Sequence, residues 1–244
     1  VSPAYTSGLE GSPNEIKLKY LSDNKFAGLS GEELNNKIKE EIKEKSALIK
    51  AHLENLDSYQ RSNTVMVYLN FRSEVLTDEL IENLFKQGKK VVVPISIKGT
   101  RTLLLSEINS LSDDLELDFY NIRVPKKESI KEVSPADIDF VITPGVAFSK
   151  DKYRMGYGGG YYDTFIEKLR ADALTCALAF DVQIFDKIPK EEHDKQMDYV
   201  ITEEPIKVDI TIPEFGVLPS WQLDLYDSVT NEVNRTNILS GDID

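Results

Sequence analysis

The run Tyr153-Arg154-Met155-Gly156-Tyr157-Gly158-Gly159-Gly160-Tyr161-Tyr162-Asp163 places four of the chain's 13 glycines within five positions. Glycine admits positive φ and lets bare backbone amides approach a ligand closely. Residues 162–169 read as a helix, and backbone amides at a helix start favour an anion such as phosphate. Local charge agrees with an anion: residues 150–170 hold five basic and three acidic side chains, within a chain of formal charge −13. Arg154 offers a fork of hydrogen bonds to a phosphate oxygen. Asp163 offers a carboxylate to a magnesium ion that bridges phosphates. The run matches neither familiar phosphate fingerprint. A P-loop needs Lys and then Ser or Thr after its last glycine, a dinucleotide fingerprint needs a third glycine, and Tyr161 stands in both places. The alternative is a flexible, strained turn between strand and helix, which would not call for the flanking arginine, tyrosines and aspartate.

Such a loop needs a rigid frame to hold it. Ser30 and Glu33 form an S-x-x-E capping box ahead of a long helix that begins near residue 31. Along it Leu34, Ile38, Ile42, Ile49, Leu53 and Leu56 recur at helical spacing, which predicts one buried stripe. Residues 65–69 form a short β-rich run, and 77–86 read as a helix stopped near Gly88. Residues 90–93, which hold VVV before Pro94, read as a buried strand. Residues 140–142, 174–180 and 199–202 are further strand candidates. Strands that are apolar throughout and alternate with helices predict an α/β fold: one main domain in three layers, a mostly parallel sheet with helices on both faces.

Composition narrows the function. The 244 residues are 41% hydrophobic and 29% charged, an ordinary globular balance. The acidic excess argues against nucleic acid or an anionic membrane as partner. The one cysteine, Cys176, excludes a disulfide framework and a cysteine zinc finger. It lies in the apolar run 174–180 and reads as a buried structural thiol. The two histidines, His52 and His193, lack zinc-ligand spacing. No run approaches the ~18 apolar residues of a membrane helix, and the first fifteen residues carry no signal core. The expectation is an intracellular, cytoplasmic protein, taken to be a monomer. Residues 1–14 read as a flexible arm, 15–203 as the α/β domain, and 204–244 as an acidic extension, partly disordered. From residue 203 onward nine acidic and two basic residues account for −7 of the charge.

The segment Pro144-Gly145-Val146-Ala147-Phe148, with residues 154–163 after it, resembles the signature of the 5-formyltetrahydrofolate cyclo-ligase (methenyltetrahydrofolate synthetase) family. Three further segments agree in order and spacing: Tyr68-Leu69 with Glu74-Val75 and Thr77; Gly88 to Val91 with Pro94; and Ile188-Pro189, His193-Asp194, Asp198 and Thr202-Glu203. The resemblance spans residues 15–203. It implies an ATP- and Mg²⁺-dependent conversion of 5-formyltetrahydrofolate to 5,10-methenyltetrahydrofolate, with release of ADP and phosphate. ATP would phosphorylate the formyl oxygen, and N10 would then attack the activated carbon. Residue by residue, the resemblance implies Lys19 and Arg154, Met155, Gly156, Tyr157, Gly158, Gly159, Gly160, Tyr161 and Tyr162 as the nucleotide cradle. It implies Leu69, Glu74 and residues 157–161 at the folate, Arg154 and Tyr161 as catalytic residues, and Asp163 and Asp194 on magnesium.

The sequence departs from the family pattern at several places. An opening Lys and, four residues on, an Arg correspond here to Glu15 and Lys19. An Asp after Phe148 and a Gly three residues later correspond to Ser149 and Lys152. Around Asn121-Ile122-Arg123-Val124-Pro125 the family favours Gly first and Glu before Pro. Two other readings stay open: a non-catalytic relative that binds folate or nucleotide as a regulatory or interaction protein, and a different small-molecule phosphotransferase.

Overall fold

A computed structural model describes residues 31–119, 121–191 and 194–204. The expected arm, Glu15, Lys19, the Ser30 cap, His193 and the acidic extension from residue 205 lie outside the described residues.

Helix α1 (Gly31–Glu54) follows the predicted stripe, with Ile42, Ile49 and Leu53 buried and Leu34, Ile38 and Leu56 half-buried. Ser46 sits buried on the same stripe, a polar residue amid apolar ones. Its Oγ accepts a hydrogen bond from the Leu76 amide at 2.9 Å, which satisfies the hydroxyl inside the core. After the short helix α2 (Asp57–Arg61), strand β1 (Thr64–Val67), helix α3 (Asp78–Lys86) and strand β2 (Lys90–Ser96) form a parallel β-α-β unit. β2 runs three residues past the predicted 90–93. Pro94 is tolerated because the parallel pairing with β1 ends at Val92, so one side of β2 is open there.

Strand β3 (Leu103–Ile108) returns antiparallel along β2, an element the sequence reading did not separate from loop. The hairpin β4 (Leu115–Leu117) and β5 (Arg123–Pro125) follows. Strand β6 (Phe140–Thr143) then re-enters the sheet on the far side of β1. A small antiparallel pair, β7 (Ala147–Ser149) and β8 (Arg154–Met155), precedes helix α4 (Tyr161–Ile166). The chain ends in β9 (Leu174–Leu178), β10 (Ile184–Phe185) and β11 (Tyr199–Ile201).

The main sheet has the order β11-β9-β6-β1-β2-β3, parallel except for the β3 edge. Alternate strand residues face opposite layers. Val65, Val67, Val91, Val93, Phe140 and Ile142 pack with α1 and α3, whereas Met66, Val92 and Val141 pack with Phe165 of α4. Both faces are therefore covered, which is why the central strands are apolar throughout. The expected α/β sandwich with a mostly parallel sheet is what the chain forms. The α4 face is thinner than expected: α4 stops at Ile166 rather than Leu169, and the small sheet β10-β7-β8 lies apart from the main sheet. Cys176 is fully buried between β6 and β11, and burial pushes its thiol pKa up, with Asp198 adding to the effect.

The order contains a switch. β1 passes to β2 on one side, while β6 passes to β9 on the other. Connections diverge between β1 and β6, so their carboxyl ends open a crevice where ligands of such sheets bind.

Candidate active site

Two loops leave that crevice. The first follows β1. Tyr68 is buried, and its hydroxyl donates to the Val75 carbonyl at 3.0 Å, which closes residues 68–75 into a turn. Thr77 Oγ1 donates to the Tyr68 carbonyl at 2.9 Å, and Asn70 Oδ1 accepts from the Thr77 amide at 3.1 Å. Arg123 of β5 adds its guanidinium to Asn70 Oδ1 at 2.9 Å and to Asp78 Oδ1 at 2.6 Å, so the hairpin braces this loop. Glu74 is half-buried within it, with Oε2 accepting from the Phe71 amide at 2.8 Å. Desolvation drives the Glu74 carboxyl up to a pKa of about 7, although the Phe71 amide pulls it down. Leu69, two residues past β1, is half-buried against the main core.

The second loop follows β6. Gly145 leads into β7, and Gln183 ties this bend down by donating to the Gly145 carbonyl at 3.0 Å and the Val146 carbonyl at 3.1 Å. At the β7–β8 tip, buried Ser149 donates to Asp151 and accepts from the Tyr153 amide at 3.1 Å. This pair occupies the place where the resemblance leads one to expect an aspartate. Lys152 beside it has φ +64°, the left-handed conformation that the missing glycine would adopt without strain.

β8 then delivers Arg154 into the protein. Its side chain is 4% exposed, and its Nη2 donates to both Asp163 carboxylate oxygens at 3.1 Å. The guanidinium lies 5.2 Å over the Tyr162 ring, and its Nε is buried without a hydrogen-bond partner. A Cβ at Gly156 would meet Arg154 Nη1 at 2.7 Å, so a side chain there would push the guanidinium from its place. Tyr157, Gly158 and Gly159 are exposed, so the backbone from 157 to 159 faces solvent. Gly160 has φ +64° and starts α4. That helix has six residues, too few for the helix-end field expected from the sequence, so anion affinity rests on the bare loop and on cations. Tyr161 lays its ring over Gly159 and donates its hydroxyl to the Ile97 carbonyl at 3.3 Å.

The two loops meet. The Tyr162 hydroxyl is buried, and desolvation holds its pKa well above the usual tyrosine range, with the Arg154 charge lowering it and the Glu74 charge raising it. Tyr68 is raised by burial and then by Glu74, with smaller contributions from Tyr162, Cys176 and Tyr157. Tyr157, 61% exposed, is raised by desolvation and by Glu74 and lowered by Arg72. Glu74, Tyr157, Tyr162, Arg154 and Asp163, predicted from segments some 80 residues apart, thus share one electrostatic neighbourhood. Met155 is half-buried in β8. Asp194 sits in its own tight turn, its Oδ2 accepting from the Glu191 amide at 2.7 Å.

Several residues at the site carried no legible signal. Gln183 and Arg123 are isolated polar residues whose roles arise only from folding. Arg101, in the turn between β2 and β3, is another.

A model of the 5-formyltetrahydrofolate cyclo-ligase family matches residues 31–203. The 5-formyltetrahydrofolate cyclo-ligase of Mus musculus is 32% identical over 157 residues, covering 61% of this chain and 77% of that protein. The Escherichia coli K12 protein of the same name is 34% identical over 149 residues, covering 60% and 80%. Among solved structures, the Aquifex aeolicus 5,10-methenyltetrahydrofolate synthetase superposes with a TM-score of 0.60 at 28% identity, over 79% of this chain and 90% of that one. A 5,10-methenyltetrahydrofolate synthetase from Mycoplasma pneumoniae shares the fold at 22% identity and a TM-score of 0.56, over 79% of this chain and 99% of that one. The match covers both loops of the crevice as well as the sheet beneath them, and the chain belongs to the 5-formyltetrahydrofolate cyclo-ligase family.

Proposed function

We propose that the protein converts 5-formyltetrahydrofolate and MgATP into 5,10-methenyltetrahydrofolate, ADP and phosphate. One observation carries this reading: the Glu74 loop and the Arg154–Asp163 loop converge at the carboxyl ends of β1 and β6. A cyclo-ligation needs a site of this kind, because a phosphoryl donor and a folate must react across one gap. Transfer of the γ-phosphoryl group to the formyl oxygen makes that oxygen a good leaving group, and N10 then closes the ring.

The chain's own residues supply positioning and charge. Leu69 offers apolar surface beside Glu74, whose ionised carboxylate accepts hydrogen bonds from the pterin. Tyr157 and Tyr161 flank the glycine run, one exposed and one pinned to Ile97. Gly156, Gly158, Gly159 and Gly160 leave bare backbone for a phosphate chain, and side chains at them would meet Arg154 or Tyr161 or take a strained φ. The Nε of buried Arg154 has no hydrogen-bond partner within the protein. Asp163 and Asp194 are the proposed carboxylates for magnesium. Among the described residues no group of three or more His, Cys, Asp or Glu is clustered. A nucleotide-borne Mg²⁺ needs only one or two carboxylates, because it keeps waters and phosphate oxygens.

The reading is tested by mixing the protein with 5-formyltetrahydrofolate and MgATP and following the ultraviolet absorbance of the methenyl product. Turnover that depends on both substrates supports it. Folate binding without turnover would instead favour a non-catalytic relative, a reading favoured by the mutual neutralisation of Arg154 and Asp163.

A further inference from the structure

The glycine loop faces solvent with few free cations. Arg154 donates to both oxygens of Asp163, Lys150 pairs with Asp186 at 2.7 Å, and Lys152 Nζ donates to the Asp198 carbonyl at 2.9 Å. A different segment reaches the loop from the other side. The turn between β2 and β3 is fixed by its own hydrogen bonds. The Ile97 amide donates to the Thr102 carbonyl at 3.1 Å, Thr100 Oγ1 donates to the Ile97 carbonyl at 2.8 Å, and the Thr102 amide donates to Thr100 Oγ1 at 3.0 Å. Gly99 takes φ +78° at its tip. The Tyr161 hydroxyl bonds this turn to the start of α4 through the Ile97 carbonyl.

Arg101 projects from that fixed base along Gly160. Its Cδ, Nε and Cζ lie 3.5, 3.7 and 3.8 Å from the place a Gly160 Cβ would occupy. Its side chain is exposed, and among the described residues it has no carboxylate partner. A guanidinium lying on a bare backbone, facing solvent and not neutralised, has the geometry that takes two non-bridging oxygens at once. Gly160 takes φ +64°, which disfavours a side chain, and Arg101 lies at contact distance from the place such a side chain would begin.

We propose that Arg101 is a phosphate-binding residue of the glycine loop, contacting the nucleotide's phosphate oxygens with a guanidinium whose charge is not already balanced, as that of Arg154 is by Asp163. The proposal rests on the nucleotide reading above and adds a residue from a segment outside the signature run.

The test is direct calorimetric titration of the full chain with MgATP, and separately with 5-formyltetrahydrofolate, for wild type, Arg101→Ala, Arg101→Lys and Arg101→Glu. Arg101→Ala is expected to weaken MgATP binding about tenfold, Arg101→Glu more, and Arg101→Lys to recover part of the loss. Folate affinity and the melting temperature should stay as in wild type, because the side chain is exposed. Equal MgATP affinity for wild type and Arg101→Ala overturns the assignment, as does a folate loss as large as the nucleotide loss. Wild type that binds no MgATP at all overturns the nucleotide reading itself, a result distinct from either of these.

Discussion

Replacing Glu74 by Gln should make the protein more stable and less active, and the size of the first effect follows from burial. The Glu74 carboxyl is raised from 4.5 to about 7, with desolvation the leading cause. Between those two values the folded protein holds a proton that the unfolded chain has released, so stability falls as pH rises and the loss is complete above about pH 7. At 1.36 kcal/mol per pH unit the loss amounts to about 3 kcal/mol. Gln keeps an oxygen for the Phe71 amide but never ionises. The variant should therefore match wild type near pH 4.5 and exceed it at pH 8.5 by about 2–3 kcal/mol, the lower figure allowing for a weaker hydrogen bond from Phe71. Urea unfolding at pH 4.5, 7 and 8.5 measures this, while folate affinity on the same samples should drop as the carboxylate is lost. A Gln variant no more stable than wild type at pH 8.5 would refute the claim that burial destabilises the ionised Glu74 carboxylate. Unchanged folate affinity would refute its place in the pterin site.

Asp163→Ala should destabilise the fold by about 3–5 kcal/mol, because it strands the buried Arg154 charge. The double variant Arg154→Met, Asp163→Leu should recover most of that stability without recovering turnover, a split that calorimetry and the product assay read separately. If the double variant is as unstable as the single one, the pair does not act as a unit. Lys152→Gly should gain about 1 kcal/mol by relieving the left-handed backbone, less a few tenths for the lost hydrogen bond to Asp198. A loss of stability in urea unfolding would contradict the strain argument.

How much of this was legible in the sequence depended on whether a signal was periodic or relational. The stripe of α1 and the apolar runs of β1, β6, β9 and β11 were readable because burial on one or both faces imposes a repeating pattern on composition. The β3 return was not, since a single edge strand flanked by turns carries little periodicity of its own. Strands of two or three residues such as β8 and β10 leave even less trace. Ser46 looks like a break in the α1 stripe until the Leu76 amide that it serves is in place. At the site, the glycine run announced a close approach to backbone, and Arg154 and Asp163 announced charge. Their mutual bond was invisible because residues nine apart meet only when the loop folds back. Arg101 lies 59 positions before Gly160, and only the sheet order joins the two.

The claim beneath all of this is that the β1 loop and the glycine loop form one reaction site, so consumption of nucleotide and closure of the folate ring must be a single event. Measuring ADP and 5,10-methenyltetrahydrofolate in the same reaction tests it. The account predicts one ADP per methenyl product, with no ADP formed when 5-formyltetrahydrofolate is omitted. ADP released at the same rate without the folate, or a methenyl product formed without ADP, would contradict it.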